Sequence, residues 1–130
     1  MMKNTFNCIM IVDDNKIDNF FHERVILKNN ITNTVIIKQS GIEALEYLQD
    51  NNNVLPEIIF LDIHMPEMTG WEFLDQYIQL DKLKQKSKII VMLGTQNFID
   101  DNTEKFKELL HINFTTKPLT TEFLNSLTQF

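Results

Sequence analysis

Residues 58–70 read Ile58-Ile59-Phe60-Leu61-Asp62-Ile63-His64-Met65-Pro66-Glu67-Met68-Thr69-Gly70. Four apolar residues in a row, without polar alternation, describe a strand buried on both faces, the kind found in parallel sheets. The run stops on a carboxylate. Pro66 then fixes one φ angle and biases Met65 toward an extended shape, and Gly70 permits a tight turn into the next helix. Thr69-Gly70-Trp71-Glu72 fits the capping-box pattern that starts such a helix. This stretch is therefore a strand that delivers an acid to a stiff loop and then to a helix.

The same strand signature recurs on either side, in Cys8–Val12, Val35–Ile37 and Ile89–Leu93, and more weakly in Ile112–Thr115. Between these runs apolar residues take helical spacing. Ile17, Phe20, Phe21 and Val25 form one expected core stripe, and Ile42, Leu45 and Leu48 a second. Phe73, Leu74, Tyr77 and Ile78 form a third, Phe106, Leu109 and Leu110 a fourth, and Phe123, Leu124 and Leu127 a fifth. Ser40-Gly41-Ile42-Glu43 is a further capping box, while Asn51–Asn53 and the lysine-rich stretch 81–87 read as connections. Strands alternating with helices predict an α/β fold: a five-stranded parallel sheet in the order 2-1-3-4-5 with helices on both faces, the flavodoxin-like arrangement.

Composition agrees with one folded domain. The chain has 130 residues, 43% hydrophobic and 23% charged. A domain of that size buries roughly two-thirds of its unfolded surface and needs no disulfide or structural metal. Its single cysteine, Cys8, excludes an internal disulfide and a multi-cysteine zinc site. The longest apolar runs, about five residues, are far short of a membrane span or a signal-peptide core. With 18 acidic and 12 basic side chains the formal charge is −6, a poor match to DNA or RNA. The expectation is one cytoplasmic domain over residues 1–130, its core about 8–130, with no effector domain, no membrane contact and no direct nucleic-acid contact.

In the order 2-1-3-4-5 ligands bind at the carboxyl ends of the first and third strands, which are neighbours. Those ends carry Asp13-Asp14 and Asp62; the fourth strand ends in Gly94-Thr95 and the fifth in Lys117-Pro118. Each has an ordinary reading by itself: Asp13, Asp14 and Asn15 as helix caps, Asp62 as a loop acid, Lys117 as a solvated lysine. Together they describe a site. Three converging carboxylates repel one another unless a cation sits among them, and a few oxygen ligands suit a partly hydrated Mg²⁺. One carboxylate can attack phosphorus, and a nearby ammonium can offset the charge that develops.

The motifs Ile11-Val12-Asp13-Asp14-Asn15, Leu61-Asp62-Ile63-His64-Met65-Pro66-Glu67-Met68-Thr69-Gly70 and Lys117-Pro118-Leu119 resemble those of the receiver domain of two-component response regulators, from about Cys8 to Phe130. The resemblance implies that Asp62 is the phosphoacceptor, Asp14 a direct Mg²⁺ ligand, and Asp13 a ligand through water. It implies that the His64 backbone carbonyl completes the metal site and that Lys117 contacts the phosphoryl group. Side chains at the His64 position shape access of water to the acyl phosphate, so the imidazole would tune its lifetime, unless it is simply an exposed loop side chain. Family members carry Thr or Ser at the end of the fourth strand. Counting back from Lys117 reaches Thr95, while following the strand reaches Gly94, so the register stays open. Phe114 matches the switch aromatic and lacks a hydroxyl.

The implied function is a phosphoacceptor switch, not a turnover enzyme, acting only on its own phosphorylation and dephosphorylation. It takes a phosphoryl group from a sensor histidine kinase or histidine phosphotransfer protein. A protein partner then reads the face built from the fourth helix, fifth strand and fifth helix, to which Phe98, Phe114 and Phe130 are candidates to contribute. Pairing of two copies is left open. The alternative is a non-switching binding module, motivated by Gly94. A Mg²⁺-dependent phosphatase fits poorly, because the second acid expected two residues beyond the nucleophile is His64. A nucleotide site fits worse, because no glycine-rich loop follows the first strand.

Overall fold

The computed structural model describes residues 5–94 and 101–128, the side chains of residues 101 and 102 excepted. Five strands alternate with five α-helices: β1 (Ile9–Val12), α1 (Lys16–Lys28), β2 (Val35–Lys38), α2 (Gly41–Gln49), β3 (Ile58–Asp62), α3 (Gly70–Tyr77), β4 (Lys88–Leu93), α4 (Asp101–Leu110), β5 (Asn113–Thr116) and α5 (Thr121–Ser126). All pairings are parallel and the order is β2-β1-β3-β4-β5, as the sequence predicts. The lysine-rich connection contains one 3₁₀ turn, Lys82–Lys84, and Lys88, directly after the connection, opens β4.

Side-chain alternation along the strands divides the core into two layers. Met10, Val12, Ile59, Leu61 and Val91 point to α2, α3 and α4, against Leu48, Phe73, Tyr77 and Phe106. Ile9, Ile11, Phe60, Ile90 and Met92 point the other way, against Ile26 of α1 and Leu124 of α5. β1, β3 and all but the ends of β4 are buried on both faces. β2 and β5 are only partly covered, contrary to the expectation of full burial, because each lies at a sheet edge.

The stripes of α3 and α5 face the core as expected. Those of α2 and α4 do so in part: Leu48 and Phe106 are buried, while Ile42 and Leu109 are exposed. Of the stripe expected of α1, Val25 packs against the core and the rest is on the wrong side. Ile17, Phe20 and Phe21 are 80%, 60% and 46% exposed, and the helix buries Asn19, His22 and Ile26 instead. The reason lies at its start, where the Asn15 side chain caps by accepting from the Asp18 N–H at 2.9 Å. That phase points Asn19 back at β1, where its Nδ2 donates to the Asp13 carbonyl at 2.8 Å. A polar duty at the strand end thus outranks the apolar spacing, which identified a helix but not its buried side.

Candidate functional site

β1 and β3 lie side by side, with Val12 level with Leu61, so the residues that follow each strand emerge together. Asp13 is fully buried, Asp62 nearly so, and Asp14 is exposed. One carboxylate oxygen from each lies within 4.8 Å of the others, the only such metal-competent group of acids, histidines or cysteines among the described residues. An all-oxygen donor set with one exposed member suits a hard divalent cation that keeps some of its water.

Lys117 reaches the same point from the end of β5. Its backbone N–H donates to the Leu93 carbonyl at 3.1 Å, which anchors the residue after the strand ends, and the peptide bond to Pro118 is cis. Its Nζ is 2.8 Å from Asp13 Oδ2, 3.3 Å from Asp62 Oδ1 and 3.4 Å from Asp18 Oδ2. The ammonium is thus closest to Asp13. Burial by itself would pull the Lys117 pKa down, but the hydrogen bond and charge of Asp13, joined by those of Asp62, outweigh it and raise the pKa. Asp62 is less well compensated. Burial first, and then the charge of Asp13, push its carboxyl from 3.8 up to about 6, against the opposing pull of Lys117. A buried acid held above its ordinary range by neighbouring acids is what an added cation would relieve.

The loop after Asp62 is held by backbone contacts. Met68 N–H donates to the Pro66 carbonyl at 2.7 Å, Glu67 takes a φ of 67°, and Gly70 N–H donates to the Ile63 carbonyl at 2.8 Å. Gly70 serves here through close approach, not an unusual φ: a Cβ would sit 2.5 Å from the Asp62 carbonyl oxygen. Thr69 and Glu72 form the full capping box of α3.

Of the remaining residues singled out in the sequence, His64 is exposed beside the site and Gly94 directly follows β4. Phe114 is half-buried at the edge of the α2–α4 layer, with Lys107 Nζ 5.7 Å from its ring centroid. Thr95, Phe98 and Phe130 lie outside the described residues. The capping role weighed for Asp13, Asp14 and Asn15 belongs to Asn15 alone. Sequence reasoning missed Asp18 and Asn19. Their signal was the helix cap at Asn15, which sets the phase of α1, but only with the sheet in place does that phase show which side chains face Asp13 and Lys117.

Residues 9–129 match the family described as response regulator receiver domain. The chain is similar to response regulator Rcp1 of Synechocystis sp., at 30% identity over 109 residues, 81% of this chain and 71% of that protein. Among solved structures it resembles a two component response regulator from Cytophaga hutchinsonii, with a TM-score of 0.79, 27% identity and 95% of each chain covered. It also resembles the Mn²⁺-bound form of response regulator Rcp1, with a TM-score of 0.67, 26% identity, and 95% and 89% of the two chains covered.

Proposed function

Since the chain belongs to the response regulator receiver domain family, we propose that it is a phosphoacceptor switch with Asp62 as the acceptor. The observation that carries this reading is the meeting of Asp13, Asp14 and Asp62 within 4.8 Å, with the Lys117 ammonium 3.3 Å from Asp62. Asp14, Asp13 and Asp62, with the His64 carbonyl, would hold Mg²⁺. Bound there, the cation supplies positive charge that draws phosphate oxygens to the crevice and keeps Asp62 ionised.

The chain's own residues do the rest. An Asp62 carboxylate oxygen attacks the phosphorus of a phosphohistidine as the phosphorus–nitrogen bond to the donor breaks. Lys117 needs only a short shift from Asp13 to neutralise a phosphoryl oxygen. Asn15 and Asn19 hold the end of β1 so that Asp13 keeps its aim. The domain catalyses its own modification and turns over no other substrate.

The donor is a sensor histidine kinase or a histidine phosphotransfer protein, docking where Ile17, Phe20 and Phe21 stand exposed on α1 beside Asp14. Three large apolar side chains presented to solvent next to a reacting group form a surface that a protein partner covers. Thr95 supplies the hydroxyl that meets the phosphoryl group, and a downstream protein reads the α4–β5–α5 face. Among the described residues no helix is long and apolar enough to cross a membrane; we place the domain in the cytoplasm.

The deciding experiment is intact-protein mass after incubation with acetyl phosphate and Mg²⁺, beside Asp62→Asn. One phosphoryl adduct, dependent on Mg²⁺ and missing from the variant, is the expected result. No adduct while Mg²⁺ binds, even with phosphorylated histidine kinases as donors, would defeat the reading. The non-switching module draws support only from Gly94 after β4. It predicts partner binding that is the same with and without the adduct.

A further inference from the structure

The first turn of α3 is pressed against the backbone of Asp62. Gly70 opens the helix, bonded to the Ile63 carbonyl, and has no room for a Cβ beside the Asp62 carbonyl oxygen. The next residue is Trp71, the single tryptophan of the chain. Its half-buried ring lies parallel to that of Phe106 in α4, with centroids 5.9 Å apart and planes 2° apart. Phe106 is fully buried. Its neighbour Lys105 places Nζ 5.0 Å from the Phe106 ring and 2.8 Å from Asp75 Oδ1, so α4 is tied to α3 a second time, one turn further on. That ion pair is half-exposed and weak by itself. The stacked pair is the part that is specific in geometry, because aromatic rings favour a small set of mutual arrangements, offset stacking among them.

α4 therefore touches two things at once: α3, through Trp71 and Asp75, and β5, through Lys107 over Phe114. Phe114 offers no hydroxyl, so it cannot report the state of Asp62 by a side-chain hydrogen bond. A densely packed contact can do so, because interiors transmit displacement where they have no slack.

We propose that Trp71 is a positioning residue that couples Asp62 to α4. This rests on Asp62 being the phosphoacceptor. A shift of the backbone at Asp62 on phosphorylation moves Gly70 and the first turn of α3. The Trp71–Phe106 stack carries that movement to α4 and, through Lys107, to Phe114. The bistable element is α4, in register with Trp71 in one state and slipped from it in the other.

The test is hydrogen exchange of the α4 amides in the full chain, with and without acetyl phosphate and Mg²⁺, with intact mass read on the same samples. In the parent, phosphorylation should change α4 exchange by about threefold or more. Trp71→Leu should take up the phosphoryl group to the same extent yet lose the α4 response, and Trp71→Phe, which keeps a ring to stack, should retain it. Phe106→Leu removes the stack from the other side and should match Trp71→Leu. An α4 response of parental size in a fully phosphorylated Trp71→Leu or Phe106→Leu overturns the coupling while leaving the phosphoacceptor reading intact. Absence of any adduct on the parent overturns that reading, and the coupling with it.

Discussion

At the scale of single residues, the site is an imbalance of charge. Burial, and then the charge of Asp13, push the Asp62 pKa up to about 6, because Lys117 serves three acids and sits closest to Asp13. The folded protein thus holds the Asp62 proton up to about pH 6, whereas the unfolded chain releases it near 4. Between those values the folded state binds more protons, so this group's contribution to stability falls as pH rises through the window. Asp62→Asn removes the penalty. It should be more stable than the parent by about 1–3 kcal/mol at pH 7.5, the gap closing below about pH 4, as read from urea unfolding across pH without Mg²⁺. Asp13, Asp14, Asp62 and Lys117 could be read from the sequence because each sits at a strand end, a place the apolar runs mark directly. Asp18 could not, since its approach to Lys117 depends on helix phase and on a strand about a hundred residues away.

At the scale of elements, the expectation that failed is the informative one. Helical spacing of Ile17, Phe20, Phe21 and Val25 found α1, but only Val25 packs against the core and the other three lie on the outer face. Helix periodicity says which residues share a side, not which side meets the sheet. Here the sheet takes the side bearing Asn19 and His22, two polar residues no hydropathy pattern would bury. His22 is buried enough that desolvation lowers its pKa, against the raising charge of Asp18, so it stays neutral at physiological pH. The apolar side stays exposed, where the proposed phosphodonor would dock. Phe20→Ser should therefore leave stability within about 0.5 kcal/mol, since it removes little buried surface. It should leave labelling by acetyl phosphate unchanged while slowing transfer from a phosphorylated histidine phosphotransfer protein by about tenfold or more. Parallel time courses with the two donors check this, and equal slowing with both would place Phe20 in the chemistry instead.

For the whole molecule, topology turns local features into a site. The order β2-β1-β3-β4-β5 was legible because five apolar runs alternate with helical segments and right-handed crossovers leave few ways to connect them. The partial exposure of β2 and β5 was not, because edge position is a property of the sheet and not of the run. A ligand bound only by the assembled crevice stabilises the entire fold by mass action. Mg²⁺ at about 100 times its Kd should add about 2.7 kcal/mol to unfolding, seen as a rise in Tm that NaCl of equal ionic strength does not reproduce. Asp13→Asn together with Asp14→Asn should abolish it. The salt bridge from Lys117 to Asp13 closes a separation of 104 residues. A contact of such long sequence separation pays more loop-closure entropy than a local one and should form late in folding. Until β5 docks, the acids of β1 and β3 meet without their counter-ion, so repulsion among them opposes the pairing of the two central strands. Repulsion in the acidic crevice should therefore slow folding, and divalent cations in the surrounding solution should lower that obstacle.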